Sequence, residues 1–303
     1  MVVSDKVTTQ MNQNKIIEDL ENTGEYKVVR KYKKPECYHH DDGSEKSKGI
    51  FLDVETTGLS HEIDKIIEIA LVPFEFSKDG RIFKIHDSYS CLEDPKVALT
   101  EKIIALTGLT DEMLAGKSFE VDAIDKVVES ADLILAHNAE FDRKFVEKRF
   151  PIFIEKAWAC SQKQVPWEEE GFASPKLEYL AYKFGYFFEG HRAEIDCQAS
   201  IHLLSMKLPK SEDLVLNVLL KNARQKSFRV WALDSNFEKK DLLKNRGYKW
   251  FPGGEGRRRS WYIDTSEENI ESELEYLKEE IYGREINLPT DTITAFNRFS
   301  ERI

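Results

Sequence analysis

The stretch that most constrains this chain is Gly49–Ser60, GIFLDVETTGLS. Ile50, Phe51 and Leu52 run straight into Asp53, and a second carboxylate, Glu55, follows after Val54. Side chains alternate along a strand, so Asp53 and Glu55 point the same way. Two carboxylates on one face at the end of an apolar strand repel unless a cation sits between them. Hard divalent cations take carboxylate oxygens. Thr56, Thr57 and Gly58 then break the strand and open space for a substrate. The stretch reads as half of a metal site for phosphoester hydrolysis.

A chain of 303 residues is consistent with one large α/β domain and a smaller one. Hydrophobic residues make up 41%, enough for a sizeable core. No apolar run approaches the ~18 residues of a membrane span, and the first residues lack the basic-then-apolar pattern of a signal peptide. No membrane association and a cytoplasmic location are therefore expected. The four cysteines form no C-x-x-C pair and read as reduced thiols. Cys37, near His39, His40, Asp41 and Asp42, reads as part of a polar loop, since the spacing matches no structural zinc motif.

Net charge is −11, which argues against a protein that coats nucleic acid but leaves room for one that handles a chain end. The charge is uneven. Lys221–Ser260 holds 12 Lys plus Arg against 4 Asp plus Glu, so this window is about +8 and the remainder about −19. A local anion-binding face is implied.

Taken in order, residues 1–48 read as an N-terminal arm. Strands are expected at Gly49–Val54, Ile66–Phe76 and Arg81–Leu92, the last two joined by a Lys78-Asp79-Gly80 turn. Helices come next at Thr100–Thr107 and Val121–Ser130, then a buried parallel strand at Asp132–Ala136. A helix at Ala139–Phe150, a last strand at Trp158–Val165 and helices at Pro175–Phe184 and Ala193–Met206 complete a domain over 49–208. Residues 209–227 read as a linker helix, 228–283 as a small α+β accessory domain ending in a long helix, Ser266–Tyr282, and 284–303 as an extended tail.

Two further stretches carry chemistry. In His137–Asp142, HNAEFD, a buried strand ends and Asp142 falls in the first turn of the next helix. Ligand sites in α/β sheets lie outside the carboxyl ends of strands, which turns Asp142 towards Asp53 and Glu55. Alone, Asp142 could simply favour a helix N-terminus. In His191–Asp196, HRAEID, the histidine precedes a helix and Asp196 lies within it, among apolar neighbours where a lone carboxylate is costly. Alone, His191 could be a loop residue or cap.

Strand-end D-x-E, strand-end H-N-x-x-F-D and then H-x-x-x-x-D, in this order, resemble the DnaQ-like (DEDDh) 3′–5′ exonuclease family over about Gly49–Met206. The resemblance implies a ribonuclease H-like fold, a mixed five-stranded sheet flanked by helices. It also implies that Asp53, Glu55, Asp142 and Asp196 hold two Mg²⁺ or Mn²⁺ ions, which clamp the attacking and leaving oxygens of an in-line displacement. Asp53 would bridge both ions, Glu55 and Asp196 would complete the site of the ion holding the nucleophilic water, and Asp142 would support the second. Histidine titrates near ~6.5 in water, and the family's general base maps onto His191. Substrate contacts are implied for Thr56, Thr57 and Leu59, and His137 and Asn138 are placed with them. The expected product is a nucleoside 5′-monophosphate. Trp158-Ala159-Cys160-Ser161 stands where family members often carry an acid. No Q-x-x-L-type clamp-binding peptide is evident, so a stable place in a replicative polymerase is not supported.

In the smaller domain aromatics interleave with cations: Phe228, Arg229 and Trp231, then Tyr248 to Phe251, then Arg257, Arg258, Arg259, Trp261 and Tyr262. Such a face can hold single strands by stacking and phosphate attraction. The same aromatics could form the domain's core, and a strand has two faces to serve both ends. Single-stranded or frayed DNA 3′ ends are the expected substrate. The rivals are an RNA 3′–5′ exonuclease of the ribonuclease T type and a non-catalytic nucleic-acid-binding protein on the same fold.

Overall fold

The computed structural model describes residues 13–254 and 256–303. Its strands are β1 (Arg30–Lys31), β2 (Lys46–Thr56), β3 (Ile66–Ser77), β4 (Ile82–Ile85), β5 (Tyr89–Leu92), β6 (Leu133–Ala136), β7 (Trp158–Cys160), β8 (Tyr186–Phe187), β9 (Ser227–Ala232), β10 (Lys249–Phe251), β11 (Ser260–Ser266) and β12 (Thr290–Ile293). The apolar run before Asp53 becomes β2, the middle of a mixed sheet ordered β4-β3-β2-β6-β7, with β5 also on β3. β3 runs antiparallel to β2 and β6 parallel to it, with β7 parallel beyond β6. The expected strand Arg81–Leu92 is in fact two, because the chain leaves the sheet between Ile85 and Tyr89 and rejoins β3 further along. The strand expected at Trp158–Val165 stops at Cys160, whose N–H turns to the Gln164 side chain at 2.8 Å.

Alternation along β2 divides the core in two. Phe51 belongs to the layer beneath the helix Ala193–Leu204, while Ile50 and Leu52 belong to the layer beneath the helix Ala139–Arg149. Asp53 and Glu55 continue the parity of Phe51, so they emerge at the end of the sheet on the side of the first of these helices. The arm is tied down where β1 pairs with β8 and Tyr32 and Tyr38 pack on the same layer.

Two expected boundaries move. The helix Val215–Arg224 is part of the first domain, because Val215, Leu216, Leu219, Leu220 and Ala223 form a stripe buried in the core that holds Phe51. The β3–β4 turn seats against it so closely that a Cβ on Gly80, at φ +83°, would collide with the Asn217 backbone nitrogen. The C-terminal residues are ordered too. β12 adds to β9, completing a four-stranded antiparallel sheet β10-β11-β9-β12. Residues 294–303 then return to the first domain, where the Trp158 N–H donates to the Ala295 carbonyl at 2.8 Å.

One face of the smaller sheet carries Val230, Ala232, Trp261 and Ile263 onto Leu277 and Ile281. The expected single helix is α-helical over Ile270–Tyr276 and π-wound over Leu277–Tyr282, ending at Gly283 with φ +63°. Among the described residues no helix is long and apolar enough to cross a membrane.

Candidate active site

β2 delivers Asp53 and Glu55, and the helix Ala193–Leu204 packed over that face delivers Asp196. One carboxylate oxygen from each lies within 4.8 Å of the other two. Asp142 comes from the opposite layer. It is 3% exposed, and its Oδ1 accepts the Val54 N–H at 3.3 Å, which places it beside Asp53. The structure therefore brings all four acids to one sheet end.

Their electrostatics are those of carboxylates crowded together and buried. Burial raises the Asp53 carboxyl well above the ordinary range, and Asp142, Asp196, Glu55 and Glu68 raise it further. Burial, reinforced by Asp196, Glu68 and Asp142, pushes Glu55 up to about 8. Burial also raises Asp142 and Asp196 to about 7 each, against hydrogen bonds that favour their ionised forms. A divalent cation would relieve this repulsion, so these residues fit the ion the family implies.

His191 stands in solvent at the turn before the helix, with a left-handed backbone at φ +65°. Its ring makes no hydrogen bond among the described residues. The next residue fixes the turn, since the Arg192 N–H donates to Asp196 Oδ2 at 3.0 Å. Sequence reasoning missed Glu68, the partner of Glu55 across β2 and β3. It is 1% exposed, ion-paired with Arg192 at 3.0 Å, and accepts the N–H of Ala193 at the helix start. Its signal is a single carboxylate inside the apolar run IIEIALV.

The substrate-contact expectations fare differently. Leu59 is 85% exposed, which rules out core packing, and it shares a groove of about 240 Å³ with Asn138 and Phe141. Thr56 is buried and its hydroxyl donates to the Gly58 carbonyl. The Thr57 hydroxyl donates to Asp64 and accepts from the Lys65 N–H. These hydroxyls shape the loop. Gly58 is required there, since a Cβ would meet the Asp64 carboxylate at 2.5 Å. His137 is also structural. Nδ1 contacts the Ser161 hydroxyl at 2.9 Å and Nε2 the Pro175 carbonyl at 2.8 Å, so neither nitrogen remains for a substrate. Burial lowers its pKa to about 4, leaving it neutral.

Arg257 pairs with Asp291 at 2.6 Å and lies over Trp231, and Arg258 pairs with Asp234. Two of the three arginines expected to attract phosphate thus have a carboxylate partner within their own domain. Arg259 is exposed and has no side-chain partner among the described residues.

The chain matches the exonuclease family model over residues 50–204, half of its length. It is 32% identical over 170 residues to the PolC-type DNA polymerase III of Clostridium perfringens (strain 13 / Type A), covering 54% of this chain and 11% of that protein. It is 35% identical over 163 residues to the PolC-type enzyme of Bacillus subtilis (strain 168), covering 51% of this chain and 11% of that protein. The chain therefore spans about a tenth of the length of these curated relatives. Among solved structures it resembles exonuclease X in complex with 5′ overhanging duplex DNA, with a TM-score of 0.41 and 21% identity over 56% of this chain and 99% of that one. E. coli exonuclease I in complex with an oligonucleotide gives a TM-score of 0.46 and 14% identity over 73% of this chain and 63% of that one. With the D-x-E strand, Asp142 and Asp196 gathered at one sheet end, the chain belongs to the DnaQ-like, DEDDh-type 3′–5′ exonuclease family.

Proposed function

We propose that this protein removes nucleoside 5′-monophosphates from DNA 3′ ends with the aid of two Mg²⁺ or Mn²⁺ ions. The observation that carries the reading is the convergence of Asp53, Glu55 and Asp196 within 4.8 Å beside the buried Asp142. Four carboxylates crowded at one sheet end are costly unless a cation offsets their repulsion. Bound divalent ions would supply charge neutralisation at the phosphate and a water acidified at neutral pH.

The chain's own groups do the rest. Asp53, Glu55, Asp142 and Asp196 hold the ions. A ring nitrogen of His191 takes the proton of the attacking water. Arg192 pairs with Glu68 and so offsets part of the charge that this fifth carboxylate adds to the site. Leu59, exposed on the loop after Glu55, offers an apolar surface to the terminal base or sugar. DNA is preferred as substrate because the relatives matched are DNA polymerase III proteins.

The test is nucleotide release from matched DNA and RNA oligonucleotides, 3′-labelled, in MgCl₂, MnCl₂ or EDTA. Release from DNA that needs a divalent ion and stops in Asp53→Asn is the expected result. Faster loss of RNA would move the substrate class to RNA. Release that persists in EDTA would remove the metal-site assignment.

A further inference from the structure

The face of the small sheet opposite its core does not point to open solvent. It closes against the first domain across a cleft of about 660 Å³, into which β9, β10 and β11 turn Arg229, Lys249, Phe251 and Tyr262. The far wall includes Glu140, Lys144 and Lys163 from the first domain. Glu140 and Lys144 also line the groove that holds Leu59 and Asn138. The two cavities therefore share one wall, on the same helix that carries Asp142.

The larger cavity has the chemistry of a polyanion track. Six Lys or Arg side chains line the larger cavity, against Glu140, Asp264 and Glu301. Two of the acids are engaged with cations of the same cavity: Glu140 with Lys163 and Lys144, and Asp264 with Arg229 in a two-bond fork at 2.7 and 2.8 Å. Lys226 and Lys249 are exposed and make no ion pair or side-chain hydrogen bond among the described residues. Arg229 is fixed 4.3 Å from the centre of the Tyr262 ring, so an aromatic surface and a held guanidinium stand next to the free ammonium groups. Stacking surfaces interleaved with phosphate-seeking cations bind single strands without reading their sequence.

We infer that this interdomain cleft holds the phosphodiester backbone of the single strand upstream of the 3′ nucleotide, with Lys226 and Lys249 as its phosphate contacts. The inference rests on the nuclease reading of the carboxylate site. It moves the anion-binding surface from Arg257–Arg259 to the opposite end of the same sheet, and it gives the second domain its work: substrates long enough to enter the cleft are held, while short ones meet only the first domain.

The test compares the full chain with Lys226→Gln/Lys249→Gln. Both positions are exposed, so folding is retained. Binding of a fluorescent 16-nucleotide single strand is measured by anisotropy over a range of salt, and nucleotide release is measured from that strand and from a 4-nucleotide one. Single strands give a log–log salt slope of about −0.7 per phosphate contact. Loss of two contacts is therefore expected to flatten the slope by ~1.4 and to weaken binding about 25-fold at 0.1 M salt. Release from the 4-nucleotide strand is expected to be unchanged. Equal affinity and slope for the two proteins would overturn the cleft assignment, whatever the hydrolysis. Absence of nucleotide release by the unaltered protein, with the binding difference intact, would instead overturn the nuclease reading and leave the cleft standing.

Discussion

Asp142 and Arg143 are consecutive residues on one helix, and they hold two distant parts of the chain. Asp142 Oδ1 accepts the Val54 N–H at the metal-site end of β2. The Arg143 guanidinium, fully buried and 5.2 Å from the Trp158 ring, donates to the carbonyls of Phe296 and Arg298 at 2.6 and 2.8 Å and pairs with Glu147. The C-terminal segment thus braces the helix that carries a candidate metal ligand. Arg143→Met removes the cation and leaves Glu147 half-paired through Arg302. Removing one member of a buried pair costs roughly 3–5 kcal/mol. The expected result is a lower urea midpoint with unchanged slope, and earlier proteolysis within residues 294–303. An unchanged midpoint would mean that the segment's other contacts hold it.

The carboxylate cluster makes a prediction about pH. Glu55, Asp142 and Asp196 have folded-state pKa values raised to about 8, 7 and 7, above the unfolded range of ~4. A raised folded pKa means that the folded state binds protons more tightly than the unfolded one. This contribution is complete below pH 4 and is lost as pH rises through 7 to 8. In EDTA, thermal stability attributable to the cluster should therefore fall between pH 5 and pH 8. Saturating MnCl₂ or MgCl₂ should remove most of that fall, since a bound ion supplies the missing positive charge. Scanning calorimetry at pH 5, 6.5 and 8, with and without the ion, measures both effects. A fall of the same size with and without the ion would detach it from these residues.

Asp53→Asn separates stability from activity at the same position. The substitution keeps the shape of the side chain and removes the charge that Asp142, Asp196 and Glu55 oppose. Metal-dependent nucleotide release should be lost. In EDTA at pH 8 the variant should melt above the unaltered protein, by ~2–4 °C for each 1 kcal/mol of repulsion relieved. Its response to added MnCl₂ should shrink as well. A variant that is inactive because it has unfolded would melt lower, which distinguishes the two causes of lost activity.

Much of the site was legible because its residues obey short-range rules. Asp53 and Glu55 share a face by strand parity, and Asp142 and Asp196 are carboxylates in helices whose neighbours are buried. The features that a linear reading could not display depend on tertiary partners. The threonine hydroxyls and the His137 ring look available there, but Gly58, Asp64, Ser161 and Pro175 claim them. Arg257 and Arg258 look like free cations in the sequence, but each meets a carboxylate, Asp291 and Asp234, some distance away along the chain. The helix Val215–Arg224 carried a readable apolar stripe, but the core it enters is built from residues as distant as Phe51, and its close seat against the β3–β4 turn needs Gly80, more than a hundred residues earlier. β12 was hidden because its four residues, TDTI, alternate only weakly and gain their stability from pairing with β9.

The pair Glu68–Arg192 should behave as a positioning clasp. Arg192 binds a buried carboxylate on β3 through its side chain, while its own N–H holds Asp196. Glu68 in turn accepts the N–H of Ala193 at the start of the helix. The clasp therefore fixes the turn that contains His191 relative to the strand that faces Glu55. Arg192→Met should lower kcat by about 10-fold, equivalent to ~1.4 kcal/mol of lost positioning. KM should change little, because no substrate contact is removed. Arg192→Lys retains the charge without the fork and should recover part of the rate. In a double-mutant cycle with Glu68→Gln, the pair should show a coupling of about 1–3 kcal/mol in denaturant stability. Additive losses would mean that Arg192 and Glu68 act separately, and an unchanged kcat in Arg192→Met would show that the turn holds His191 by its backbone alone.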